Sequence, residues 1–215
     1  MRIAHVSDTH HHPEIIEQIG QLKDIDVVVI TGDVVDNYGR RDHRGIQRRK
    51  EQVFQRRWLD AHVPRWAKVI GDTPVIMVNG NHDFVSPAGR LRRCGCNVTL
   101  LNAGDHMDLG GFRFAGFGEI PYIQGEWAGE EFDLKPFVEK TMAVDPDILV
   151  VHAPAAMILD EEGYGNGPLL RALTYTKHNV RHVFCGHAHE CGGQQVDEMG
   201  IRFYNGAGCC SVHVV

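Results

Sequence analysis

The sequence predicts an α/β fold built on a parallel or mixed sheet, and three observations carry that expectation. Five short apolar runs, rich in Val and Ile and without polar alternation, read as strands covered on both faces. Stretches with helical spacing separate most of these runs, as in a chain of βαβ units. The 215 residues, 43% of them hydrophobic, can bury a core without disulfide or structural-metal support.

The runs are IAHVS (3–7), DVVVIT (26–31), PVIMVN (74–79), DILVV (147–151) and HVFC (182–185). Between the first two, Ile15, Ile16 and Ile19 fall at helical spacing and Pro13 is accommodated in the first turn, giving a βαβ start. Residues 44–66 read as a longer helix whose apolar arc holds Ile46, Val53, Phe54, Trp58 and Ala61. After the third run the segments shorten, and NVTLL (97–101), HMDL (106–109) and FRFAGF (112–117) suggest antiparallel strands of a second sheet. Asn166 or Gly167 is placed to cap a helix over 168–176. The C-terminal GGQQVDEMG, IRFYNG and CCSVHVV read as a closing meander with turns at Met199-Gly200 and Asn205-Gly206. With no repeat, low-complexity tract or linker, one domain over residues 1–215 is expected.

Composition narrows the function. A formal net charge of -6 argues against a general nucleic-acid or anionic-membrane binder. No apolar run approaches the ~18 residues of a membrane helix, and MRIAHVSDTH carries no apolar signal segment, so a cytoplasmic location is expected. The six cysteines read as reduced thiols, because Cys94-Gly-Cys96 and Cys209-Cys210 lack the spacing of a zinc module.

The residues just after each apolar run are more informative. The runs lead into Asp8-Thr9-His10, Gly32-Asp33-Val34-Val35-Asp36, Gly80-Asn81-His82-Asp83, His152, and Gly186-His187-Ala188-His189. Ligand sites of open α/β sheets lie beyond the carboxyl ends of the strands, so five separate segments would deliver carboxylate, imidazole and amide groups to one edge. That mixed oxygen and nitrogen set suits borderline divalent metals such as Mn, Fe, Zn or Ni. Its carboxylates supply enough charge for two dications about 3.5–4 Å apart, an arrangement that serves hydrolysis at phosphorus.

The ordered series DTH, GDVVD, GNHD, VH and GHAH resembles the calcineurin-like metallophosphoesterases over residues 1–210. The resemblance implies a four-layer α/β/β/α sandwich of two mixed sheets flanked by helices, with a dimetal site at the carboxyl ends of the strands. By the same resemblance Asp8, His10 and His189 hold one ion, Asn81, His152 and His187 hold the second, and Asp33 bridges. A metal-bound hydroxide would then attack phosphorus while His82 assists the leaving group, with Asp36 orienting the imidazole. The segments HAPAAMILDEEGYGNGPLLRAL, FCGHAHECGG and FYNGAGCCSV resemble a small subgroup of metallophosphoesterase-domain-containing proteins related to cyclic-nucleotide phosphodiesterases, although Ala155 stands where that subgroup has a second proline. Asn37-Tyr38-Gly39 stands where the family's protein phosphatases carry Arg-Gly, which lowers that reading.

The implied activity is hydrolysis of small phosphodiesters or nucleotides with two divalent ions, manganese foremost. A nuclease acting on single-stranded nucleic acid, a phosphomonoesterase and a non-catalytic scaffold are the alternatives. The nuclease alternative comes from the stretch 40–57, which carries eight basic residues against Asp42 and Glu51. It reads first as a solvated helix face and second as an electropositive wall in which Arg40 and Arg41 bind substrate. His5 reads as a packed histidine, and Trp58, Trp66 and Trp127 as core or interface anchors. No sequence feature sets the oligomeric state.

Overall fold

In the computed structural model, which describes residues 1–38, 47–123, 126–160 and 163–215, the apolar runs become the central strands of two facing sheets. The first sheet contains β1 (Arg2–Ser7), β2 (Val27–Ile30), β3 (Val75–Met77) and β4 (Val98–Leu100), all parallel, with β13 (Cys209–Val214) antiparallel to β1 at the edge. The second contains β6 (Phe112–Phe117), β9 (Ile148–Val151), β10 (His182–Cys185) and β12 (Ile201–Asn205) in parallel, with β5 (His106–Leu109) and β11 (Gln195–Glu198) as antiparallel edges. A short parallel pair, β7 (Ile120–Pro121) and β8 (Glu130–Glu131), lies apart from both.

The missing polar alternation now has a physical reason. Successive side chains of a strand point to opposite faces, and here both faces are covered. On β1 and β2, Ile3, Val27 and Val29 face the other sheet, where they meet Ile148, Val150 and Phe184. Ala4, Val6, Val28 and Ile30 face outward against α1 (Glu14–Glu17), α2 (Arg48–Ile70) and α3 (Ala88–Arg93), through Ile16, Leu59, Trp66 and Leu91. Leu149, Val151 and Val183 of the second sheet pack outward on α4 (Lys135–Met142) and α5 (Gly167–Tyr175), through Val138, Leu169 and Leu173. The result is the expected α/β/β/α layering. Asn166 caps α5 as expected, its Oδ1 accepting the Leu169 N–H at 2.9 Å.

Three expectations need correction. The segment 97–101 supplies β4, a parallel strand of the first sheet rather than part of the second, because Val98 to Leu100 register with Val75 to Met77. The C-terminus is not a meander throughout. Met199 and Gly200, at φ 55° and 75°, do turn the β11–β12 hairpin, but after Asn205 the chain crosses to the first sheet and pairs with β1. Gly206 permits that crossing, since a Cβ there would run into the buried His5 ring.

The third correction concerns α2, which extends to Ile70 and buries a different face from the arc expected. Its buried residues are Glu51, Gln55, Leu59, Val63, Trp66 and Ile70, whereas Val53 and Ala61 are exposed. Two polar side chains thus occupy the inner face, where they hold loops of the metal centre. Among the described residues no helix is long and apolar enough to cross a membrane. All six cysteines are free thiols.

His5 is buried as expected, with its Nε2 2.9 Å from Thr31 Oγ1 and its ring edge-on to Phe184. Burial, and then His213 nearby, pushes its pKa down to about 3. The folded protein therefore holds this imidazole neutral, while the unfolded chain protonates it below about 6.5. Its contribution is intact above that pH and falls by up to about 1.4 kcal/mol per unit as acidity increases towards pH 3. Guanidinium unfolding at pH 7 and pH 5 is expected to differ by about 2 kcal/mol more in the wild type than in His5→Phe. Equal slopes in the two proteins would show that His5 is not the acid-sensitive group.

Candidate metal centre

The site forms where strands of both sheets end. Asp8 and His10 follow β1, Asp33 follows β2, Asn81 and His82 follow β3, His152 follows β9, and His187 and His189 follow β10. The structure therefore brings together the seven residues expected to hold metal, and His82 with them. Their backbones are constrained to do so. Asp8, His10, Asp33 and His187 have φ of 51°, 40°, 53° and 66°, a left-handed conformation that costs side-chain-bearing residues on the order of 1 kcal/mol or more each. The glycines of the motifs are required by contact, since a Cβ at Gly80 would overlap Asp33 Oδ1 and one at Gly186 would overlap Ser7 Oγ and Asp8 Oδ2.

Each aspartate has one oxygen fixed and one turned inward. Asp8 Oδ2 accepts from Ser7 Oγ at 2.6 Å and from the His187 N–H at 2.8 Å. Its Oδ1 is buried without a conventional hydrogen bond and faces His189 Nε2 at 3.5 Å and His10 Nε2 at 3.9 Å. Asp33 Oδ1 accepts the His82 N–H at 2.7 Å. Asp33 Oδ2 lies 3.3 Å from His152 Nε2 and 3.9 Å from both His10 Nε2 and His82 Nε2. His152 is fixed from behind, its Nδ1 donating to Thr31 O at 2.7 Å, and its Nε2 lies 3.0 Å from Asn81 Oδ1.

Those separations test the fit of a cation. Distances of 3.3–3.9 Å are long for hydrogen bonds, and they suit two donors that each approach one ion at about 2.1 Å. Among the described residues three donor groups could each hold an ion, Asp8/His10/His189, His10/Asp33/His82 and Asp33/His152/His187, with every ligand atom of a group within 4.8 Å of the others. Asp33 Oδ2 faces both sides of the set, where a bridging oxygen belongs. The residues fit two divalent cations.

The acids and imidazoles of the set act strongly on one another. Burial works against charge on Asp33, yet His152 and His82 hold its carboxyl well below the usual range. Asp33 and Asp8 in turn push His152 up to about 10 against its burial. Burial and the neighbouring His152 push His187 down to about 4, which leaves that imidazole neutral and able to donate a lone pair.

His82 has a partner that the sequence reading did not name. His82 Nδ1 meets Asn37 Oδ1, while Asp36 Oδ1 accepts the Asn37 backbone N–H at 2.8 Å. The Asn37 amide has only one sensible orientation, because its Nδ2 donates to His82 O at 3.1 Å and reaches Glu51 Oε2 at 3.4 Å. Asp36 thus holds the backbone of the residue that meets His82. The two buried polar residues of α2 serve the same loops: Glu51 Oε2 accepts the Tyr38 N–H at 2.8 Å, and Gln55 bonds His82 O at 2.6 Å and the Val85 N–H at 2.9 Å.

Asp83, the last residue of GNHD, has no role legible in the sequence, yet it organises the motif. Its carboxyl accepts the N–H groups of Asp33, Val34, Val35 and Gly80. Burial and the adjacent Asp33 push it up to about 7, against the pull of those amides. Trp127 also departs from expectation. Its ring lies 4.0 Å from that of His82 and lines, with Ile123 and Tyr164, a cleft of about 310 Å³ over Asp33, Asn81, His82, His187 and His189. Arg40 and Arg41 lie outside the described residues.

Comparison with known proteins places these observations. Residues 1–191 match the family described as calcineurin-like phosphoesterase. One solved crystal structure aligns with a TM-score of 0.67 at 14% identity, over 96% of this chain and 90% of that one, which shows a shared fold. The calcineurin-like phosphoesterase YfkN from Bacillus subtilis aligns at 0.46 and 14% identity over 88% of this chain and 72% of its own. A 5'-nucleotidase precursor from Thermus thermophilus aligns at 0.45 and 14% identity over 88% of this chain, and there the chain spans 42% of the longer protein. No curated protein sequence matches the chain.

Proposed function

Because the chain belongs to the calcineurin-like phosphoesterase family, and so is a metal-dependent hydrolase of phosphoesters, we propose that it acts on small phosphodiesters or nucleotides at the centre where the two sheets end. The observation that carries this reading is the convergence of both inward aspartate oxygens on imidazole nitrogens 3.3–3.9 Å away. Asp8, His10 and His189 would hold one ion and Asn81, His152 and His187 the other, with Asp33 serving both. Divalent cations held there, manganese foremost, would supply Lewis acidity toward phosphoryl oxygens and water, the chemistry of in-line displacement at phosphorus.

The chain's own part in catalysis centres on His82. With Asn37 Oδ1 accepting at Nδ1, the proton-exchanging atom is Nε2, which faces the centre 3.9 Å from Asp33 Oδ2. From there it gives a proton to the departing ester oxygen. Glu51 and Gln55 keep the Asn37 and His82 loops in place from α2, and Trp127 limits rotation of the imidazole. The likeness of 152–173 and 184–193 to the cyclic-nucleotide phosphodiesterase subgroup supports a diester as the favoured bond.

The test is turnover of metal-stripped protein on p-nitrophenyl phosphate and its bis-ester, after adding Mn, Ni, Zn or Mg. Metal-dependent hydrolysis with the bis-ester preferred is expected. No turnover with any metal, despite two ions bound per chain, would leave a scaffold as the better reading.

A second reading has its own observation. Tyr38, Arg48, Arg49, Lys50, Phe54 and Arg57 line a groove of about 680 Å³ on α2, and Arg48 donates to Trp127 O at 2.9 Å, which joins that groove to the site. Basic and aromatic side chains together suit a single-stranded polynucleotide. Cleavage of single-stranded oligonucleotides faster than the bis-ester would make this the main function.

A further inference from the structure

Trp127 and Tyr164 are large aromatics that neither core nor metal set employs. Both line the cleft above the centre, and neither belongs to any of the three apolar clusters that hold the fold together. Tyr164 is 44% exposed and stands edge-on to His187, with ring centroids 6.1 Å apart. Trp127 lies against His82, with ring centroids 4.0 Å apart, and lines the same cleft as His187 and His189.

The Trp127 wall is fixed from several directions. The Glu130 carboxylate accepts the Ile123 N–H at 3.0 Å and the Trp127 N–H at 3.2 Å. Ala128 N–H donates to Asn81 O at 2.9 Å, and the Arg48 guanidinium donates to Trp127 O at 2.9 Å. Four hydrogen bonds thus hold the backbone of the segment that carries the indole, and the His82 ring packs against it. Held in this way it loses little freedom when a ligand arrives, which is how a preorganised recognition surface gains affinity.

We infer that Trp127 and Tyr164 form a stacking subsite for the base of a nucleoside phosphate, placed on the leaving-group side of the metal centre. The inference rests on the phosphoesterase reading and names the substrate class for it. Phosphate would sit at the ligand set, and the ester oxygen would lie towards His82. A planar ring attached through a sugar then reaches the wall that continues from His82 to Trp127, in the cleft that Tyr164 also lines. A cleft of about 310 Å³ is at the small end of ligand sites, which suits a single nucleotide unit. Every base offers a π face, so such walls would favour nucleotides over sugar phosphates without selecting strongly among bases.

The experiment is calorimetric binding to the metal-loaded full chain with three probes: adenosine 5′-monophosphate, ribose 5-phosphate, which is the same molecule without its base, and inorganic phosphate. The nucleotide is expected to bind roughly tenfold or more tightly than ribose 5-phosphate. Trp127→Ala should remove most of that ratio, Trp127→Phe should restore much of it, and Tyr164→Ala, at an exposed position that does not threaten folding, should reduce it several-fold. Equal affinity of nucleotide and sugar phosphate in the wild type would overturn the subsite while leaving the phosphoesterase reading intact, as would a ratio that survives both alanine substitutions. Failure of all three probes to bind would overturn both together.

Discussion

Asp33→Asn is expected to lower kcat by three orders of magnitude or more, about 4 kcal/mol of transition-state stabilisation, and to reduce the metal bound per chain. The substitution keeps shape and removes charge. One amide oxygen can still accept the His82 N–H that Asp33 Oδ1 accepts at 2.7 Å, so the loop after β3 need not move. The loss lies on the other side, where Oδ2 faces His10, His82 and His152. An amide presents a neutral oxygen or an NH₂ group there, and neither replaces an anionic bridge between two dications. Metal content after dialysis, read beside kcat, separates loss of an ion from loss of chemistry. Full activity with both ions bound would remove Asp33 from the mechanism.

His82→Ala is expected to lower kcat by about 10²–10⁴-fold on esters with an alkoxide leaving group, with metal content unchanged. The loss should shrink on p-nitrophenyl esters, whose phenolate departs without a proton. That dependence on the leaving group distinguishes a proton donor from a residue that merely shapes the cleft. The neighbours give an ordering as well. Asn37→Ala should cost about tenfold or more, because Asn37 Oδ1 meets the imidazole, and Asp36→Asn should cost less, because an amide oxygen can still accept the Asn37 backbone N–H. A larger effect at Asp36 than at Asn37 would restore the carboxylate as the orienting group.

The sequence revealed most where function and strand ends coincide. IAHVS, VVVI and ILVV are apolar on both faces because each strand has a sheet on one side and helices on the other, and the side chains beyond them converge because parallel strands end together. Residues whose partners are remote are harder to read. Glu51 and Gln55 look like any polar surface of a helix until the loops that they bind are in place, so the apolar arc through Val53 and Ala61 reads as the buried one. Asp36 takes precedence over Asn37 in sequence because a carboxylate is the commoner partner of a histidine, and one residue of register decides between them. Trp127 gives no local signal, since its place beside His82 depends on Glu130 and Asn81. The crossing of β13 to the first sheet is set by pairing with β1 across almost the whole chain length, which local periodicity does not encode.

The proposed ligands are divided between the two sheets. Asp8, His10, Asp33 and Asn81 extend from one, His152, His187 and His189 from the other, and no disulfide ties the sheets across the apolar seam between them. Ions gripped from both sides would act as rivets, because separating the sheets would mean releasing them. Stability would then follow the activity of free cation by mass action, gaining about 4 kcal/mol at a thousandfold excess over Kd. For such a protein a chelator would be a mild denaturant, and starvation for metal would loosen the hinge-line of the molecule as well as silence its chemistry.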